Sequence, residues 1–147
     1  MSKIKKSAIA LLFMAVVIIF SCMALAGCGN AENRIENHNW QFDNVQAAGG
    51  EVIACSSDSA WLSDGILAIN LTISVNDGSF VIADDAQNTY AFSYRQISSS
   101  PESTIYEIEY NNVKGIASVG ETYYHEKSKV PSLIITIENY NLYFYEK

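Results

Sequence analysis

Residues 66–84, ILAINLTISVNDGSFVIAD, constrain the fold more than any other stretch. Leu67, Ile69, Leu71, Ile73 and Val75 alternate with Asn70, Thr72 and Ser74. A period of two sends one set to a buried face and the other to water, which is a half-buried β-strand and not a helix. Asn76-Asp77-Gly78 then breaks the pattern, and Asp-Gly favours a tight hairpin because glycine accepts positive φ. The chain repeats this plan. TYAFSYRQI (89–97) alternates Tyr90, Phe92 and Tyr94 with smaller or polar residues, and TIYEIEY (104–110) sets Tyr106, Ile108 and Tyr110 opposite Glu107 and Glu109. Asn111-Asn112 is the next turn, since Asn tolerates the left-handed region. VKGIASVGETYYH follows with Gly115 as a bulge or bend, and SLIITIE and LYFYE close the chain through Asn139-Tyr140-Asn141.

With WQFDNVQ and EVIACS in front, the pattern predicts about nine short strands. No long window carries a helical stripe, and SSDSAWLSDG admits one helical turn at most. A meander buries one face of each strand and loses its sticky edges by closing on itself. The expected fold is therefore all-β. It is either a small antiparallel up-and-down barrel of eight to nine strands or a flattened sandwich, preceded by a helical signal segment.

That segment is residues 1–27. It begins with Lys3, Lys5 and Lys6, and no residue from Ser7 to Ala26 is charged. About 20 apolar residues cross a bilayer, and a basic start with an apolar run is also the plan of an export signal. Leu25-Ala26-Gly27-Cys28 separates the readings, because it resembles the lipobox of bacterial lipoproteins. The resemblance implies cleavage between Gly27 and Cys28 and a diacylglyceryl thioether on Cys28, with residence on the outer face of a Gram-positive cytoplasmic membrane. The alternative is a plain transmembrane anchor. Cys22 is a poorer attachment point, since bulky Phe20 precedes it. Two acyl chains suffice for stable attachment where one does not.

The sequence then divides into the signal peptide (1–27), a lipidated cysteine with a polar tether (28–39) and a single β domain (40–147). The β domain resembles the calycins, the lipocalin-like and fatty-acid-binding-like barrels, through its meander and Trp40 at the start of the first strand. The calycin Gly-x-Trp is here His38-Asn39-Trp40. The chain also resembles small β-rich lipoproteins of Gram-positive bacteria.

Charge removes one class of partner. The chain carries 9 Lys+Arg against 16 Asp+Glu, a net −7. Loss of the three signal lysines takes it to −10. Nucleic acid calls for clustered cations, so none is expected as a partner, and an anionic membrane surface would repel the domain.

Candidate chemistry is sparse. With Cys28 lipidated, Cys55 has no pairing partner and reads as a small buried hydrophobe. His125 in YYHEK lacks the histidine spacing of a zinc helix. Asp84, Asp85 and Asn88 suit a turn better than a cation, and Glu107 with Glu109 suits the wet face of a strand better than glycoside chemistry. No catalytic, metal or cofactor residue is expected. The aromatics Trp40, Tyr90, Phe92, Tyr94, Tyr106 and Tyr110 either line a ligand cavity or fill the core of a narrow barrel. Tyr123, Tyr124, Tyr143 and Tyr145 are candidates for outward display. The expected function is non-catalytic binding of a partner protein, an envelope glycan or a small apolar ligand. The alternatives are an envelope enzyme of unidentified class and a structural or inhibitory lipoprotein.

Overall fold

The structure, a computed structural model, describes residues 33–124 and 128–146. The signal segment, Leu25, Ala26, Gly27, Cys28 and His125 lie outside them. The described chain is all-β. A short 3-10 turn (Ile35–Asn37) leads into ten strands: β1 (Trp40–Ala47), β2 (Val52–Cys55), β3 (Leu67–Ala68), β4 (Leu71–Asn76), β5 (Ser79–Asp84), β6 (Thr89–Ser99), β7 (Ser103–Tyr110), β8 (Val113–Tyr124), β9 (Ser128–Ile137) and β10 (Tyr140–Glu146). They form one sheet in the order β3-β2-β1-β10-β9-β8-β7-β6-β5-β4. All ten stay in this one hydrogen-bonded sheet. The sheet curls into a half-barrel that brings β4 back beside β1, with no hydrogen-bonded ladder between them.

The two ends of this sheet are consecutive pieces of one extended stretch. Leu67 and Ala68 pair in parallel with Ala54 and Cys55, and the Ile69 N–H donates to the Cys55 carbonyl at 2.9 Å. From Leu71 the chain pairs antiparallel with β5 instead. The alternation over 66–75 therefore predicts the extended backbone correctly but hides a change of partner. Leu71, Ile73 and Val75 pack against the core, whereas Leu67, expected on the same buried face, is 63% exposed.

Turn chemistry follows the sequence. Gly78 has φ +73°, and Asn111 and Asn112 have φ 50° and 64°, the paired positive values of a hairpin turn that twists with its strands. Glu138 takes φ 52°, so the last hairpin turns at Glu138-Asn139, one step before the expected place. Gly115 makes no bulge. Its pairing with Ile108 and Ile137 runs in register, and a Cβ there would lie 2.5 Å from the Thr136 carbonyl oxygen. The glycine lets two backbones approach.

Ordered packing begins before Trp40. Within the stretch expected to be a featureless tether, Ile35 is fully buried in the core. The Trp40 indole N–H donates to its carbonyl at 2.8 Å, and the Ile35 N–H donates to the Tyr106 hydroxyl at 3.3 Å. The Tyr94 hydroxyl lies 2.9 Å from both Glu36 Oε1 and the Asn76 carbonyl oxygen, and its one proton is donated between these two acceptors. Asn33 donates to the Pro101 carbonyl. Residues 33–39 thus plug one end of the half-barrel, the end at which β1 starts and β10 finishes.

Candidate functional site

The opposite end is open. There, strand registers place the starts of β4 and β6 beside the end of β5, and the start of β10 meets them across the curled sheet. Inward residues Ile69 and Leu71, Ile82, Phe92 and Leu142 wall a cavity of about 540 Å³. Asn70, Asp84, Asp85, Ala86 and Tyr90 complete it. A volume of this order suits a small organic ligand.

An aromatic cluster supports the cavity wall. Phe92 stacks on Phe80 at 4.8 Å between ring centroids, and Tyr110 packs on Phe92 at 5.2 Å. Tyr90 meets Tyr110 edge-on at 6.0 Å. The six aromatics expected to share one fate therefore divide. Tyr90 and Phe92 line the cavity and Tyr110 backs them. Trp40, Tyr94 and Tyr106 belong to the plug.

The acidic part of the rim is held by turn bonds. Asp84 Oδ1 accepts the Asn88 N–H and Oδ2 accepts the Asn88 side-chain amide, both at 2.9 Å. Gln87, with φ 65°, donates its N–H to the Asp84 carbonyl. The Asn88 amide holds the Asp84 carboxyl below the usual carboxylate range. Asp85 Oδ2 accepts the Asn70 N–H at 3.0 Å, and Asn70 lies in the link where the extended stretch changes partner. The sequence reading of DDAQN as a turn agrees with this geometry. No group of three His, Cys, Asp or Glu among the described residues converges as metal ligands would.

The other candidates sit elsewhere. Glu107 faces outward between Arg95 at 3.1 Å and Lys114 at 3.6 Å, and these cations, Arg95 foremost, hold its carboxyl low. His38 is at the plugged end, with Nδ1 2.9 Å from Glu146 Oε2 and its ring 4.7 Å from Trp40. Cys55 is fully buried, and burial raises its thiol pKa, with Asp43 adding to the effect and Ser59 opposing it. Of the tyrosines expected on display, Tyr123 is 67% exposed, but Tyr145 is buried and packs on Tyr124 at 4.8 Å. The four do not form an exposed platform.

Sequence reasoning missed the buried polar cluster beside Cys55. The β1–β10 register shifts between Phe42 and Asn44, so Asp43 is the extra residue of a bulge. Asp43 and Asn44 are both fully buried. The Tyr124 hydroxyl donates to Asp43 Oδ1 at 3.0 Å, and the Asn44 amide donates to Oδ2 at 2.8 Å. The signal was present: Asp-Asn interrupts the alternation of WQFDNVQ. No family model, no curated protein and no solved structure matches this chain.

Proposed function

We propose that the chain is an exported, lipid-anchored lipoprotein whose half-barrel binds a small apolar ligand at its open mouth, without catalysing a reaction. The cavity carries this reading. Its walls are apolar, it opens to solvent, and it lies at the end of the half-barrel away from the plug. The anchor reading rests on Leu25-Ala26-Gly27-Cys28. The two fit together spatially. The chain enters the fold at the plugged end, so an anchor attached at Cys28 leaves the mouth pointing away from the membrane.

Cavity filling tests the ligand reading. Leu71→Trp places an indole in the space, and Leu142→Phe fills less of it. Both variants should retain wild-type thermal stability within a few degrees. Binding of a neutral fluorescent naphthylamine probe should fall at least about tenfold in Leu71→Trp, since the apolar contact area is lost. Unchanged probe affinity in both folded variants sinks the ligand reading. The anchor has its own test: Cys28→Ser should abolish acyl labelling, and continued palmitate incorporation would refute it.

A further inference from the structure

We propose that the mouth takes an amphiphile with a protonated amine, its apolar body inside the cavity and its ammonium at the Asp84–Asp85 rim. The inference rests on the reading of this cavity as a ligand site and adds the chemistry of the ligand. The walls of Ile69, Leu71, Ile82, Phe92 and Leu142 offer nothing to a polar body. Among the described residues, every charged side chain lining the space is an acid, and no Lys, Arg or His contributes to it. The basic groups with described contacts are occupied elsewhere. Arg34 and His38 lie in the plug segment, Arg95 and Lys114 join the outer Glu107 cluster, and Lys129 pairs with Glu121.

The two carboxylates are not equivalent. A carboxylate offers about four lone-pair sites. Asp84 is taken up by the Asn88 N–H, the Asn88 amide, the Ala86 N–H and, at a long 3.5 Å, the Tyr90 hydroxyl. Asp85 gives one to the Asn70 N–H. Asp85 is thus the acceptor for an ammonium, and Asp84 is a fixed negative charge beside it. These bonds also keep the carboxylates from swinging away. A ligand carboxylate or phosphate at the same place would meet two like charges and, among the described residues, no donor cation. Tyr90, 36% exposed at the rim, adds a ring face of the kind that attracts an organic cation. A fatty acid, the simplest apolar ligand for an open barrel, is therefore disfavoured by this mouth.

A matched series decides the matter: 4-phenylbutylamine, 4-phenylbutanol and 4-phenylbutyrate. Each is titrated calorimetrically into the full chain held in zwitterionic nanodiscs, with empty nanodiscs as blank. The amine should bind about tenfold tighter than the alcohol, and the carboxylate should bind most weakly, given charge interactions at a partly exposed rim. The amine's advantage should shrink in about 0.5 M salt, because exposed charges are screened. Asp85→Asn should remove more of it than Asp84→Asn, and Tyr90→Phe, which keeps the ring, should leave it nearly intact. Equal affinity for amine and alcohol, or a carboxylate that binds as well as the amine, overturns the inference and leaves the cavity reading standing. Absence of binding by all three overturns the cavity reading, and the inference with it. Should Asp85→Asn fail to fold, the salt dependence of the wild type makes the same decision.

Discussion

The two ends of the half-barrel are built from the same kinds of residue and reach opposite outcomes. At one end Tyr94, Tyr106 and Trp40 turn their polar atoms onto residues 33–39, and Ile35 fills the space between them. At the other end Tyr90, Phe92 and Tyr110 pack on one another, and no described segment enters the space in front of them. Aromatic strands alone therefore do not decide between a solid core and a cavity. The decision falls to a segment outside the sheet, which caps one end and leaves the other.

The sharpest way to break this comparison is Ile35→Ala. The side chain is fully buried among core residues, so truncation forfeits transfer free energy and leaves a void. Such changes cost about 2–5 kcal/mol, and about 3 kcal/mol is expected here. Urea unfolding at neutral pH measures it. A cost below about 1 kcal/mol would mean that the plug is an ornament on a sheet that is stable without it. The mouth cavity should keep its ligand in this variant, since Ile35 does not line it.

How far the sequence carries is visible in the same residues. The strands, the Asp77-Gly78 hairpin and the inward set Tyr90, Phe92, Tyr94, Tyr106 and Tyr110 were legible because alternation and turn propensity are local. The plug was not. Ile35 is one apolar residue in a polar run, and nothing local says that it reaches Tyr106, 71 positions away. The partner change at Ile69–Asn70 was hidden for a similar reason, because extended backbone looks alike whichever strand it pairs with. Cavity and plug are both long-range facts, set by where the curled sheet brings its ends.

Alkaline pH sharpens the comparison with a smaller effect. Burial, with Glu36 alongside, raises the Tyr94 hydroxyl far above its ordinary value, and burial also raises Tyr106. On the outer face burial, with Asp43 as the next cause, pushes Tyr124 and Tyr145 up to about 12. Unfolded tyrosines ionise near about 10. Below that pH both states hold the protons. Above it the unfolded chain releases protons that the folded chain keeps, so stability falls as pH rises from about 10 towards 12. Tyr94→Phe removes one such group and should make the fall shallower. At neutral pH the same variant loses the one proton that the hydroxyl shares between Glu36 and the Asn76 carbonyl, at about 1 kcal/mol. A fall in stability as steep as the wild type's would show that Tyr94 titrates freely.

The smallest effect is expected at the mouth. Leu142 is half-buried and borders the cavity, so the methyl groups removed by Leu142→Ala already face open space on one side. A side chain without partners on one face has less dispersion and transfer energy to lose. The cost should be about 1 kcal/mol, well below that of Ile35→Ala, although both remove a large aliphatic group from the same curled sheet. The enlarged cavity should then accept a bulkier apolar probe than the wild type does, with affinity gained as stability is lost. A cost equal to that of Ile35→Ala would place Leu142 in a collapsed core, and the difference between the two ends would disappear. A lower cost joined to tighter binding of the larger probe locates the useful surface of this protein at the end that residues 33–39 leave uncovered.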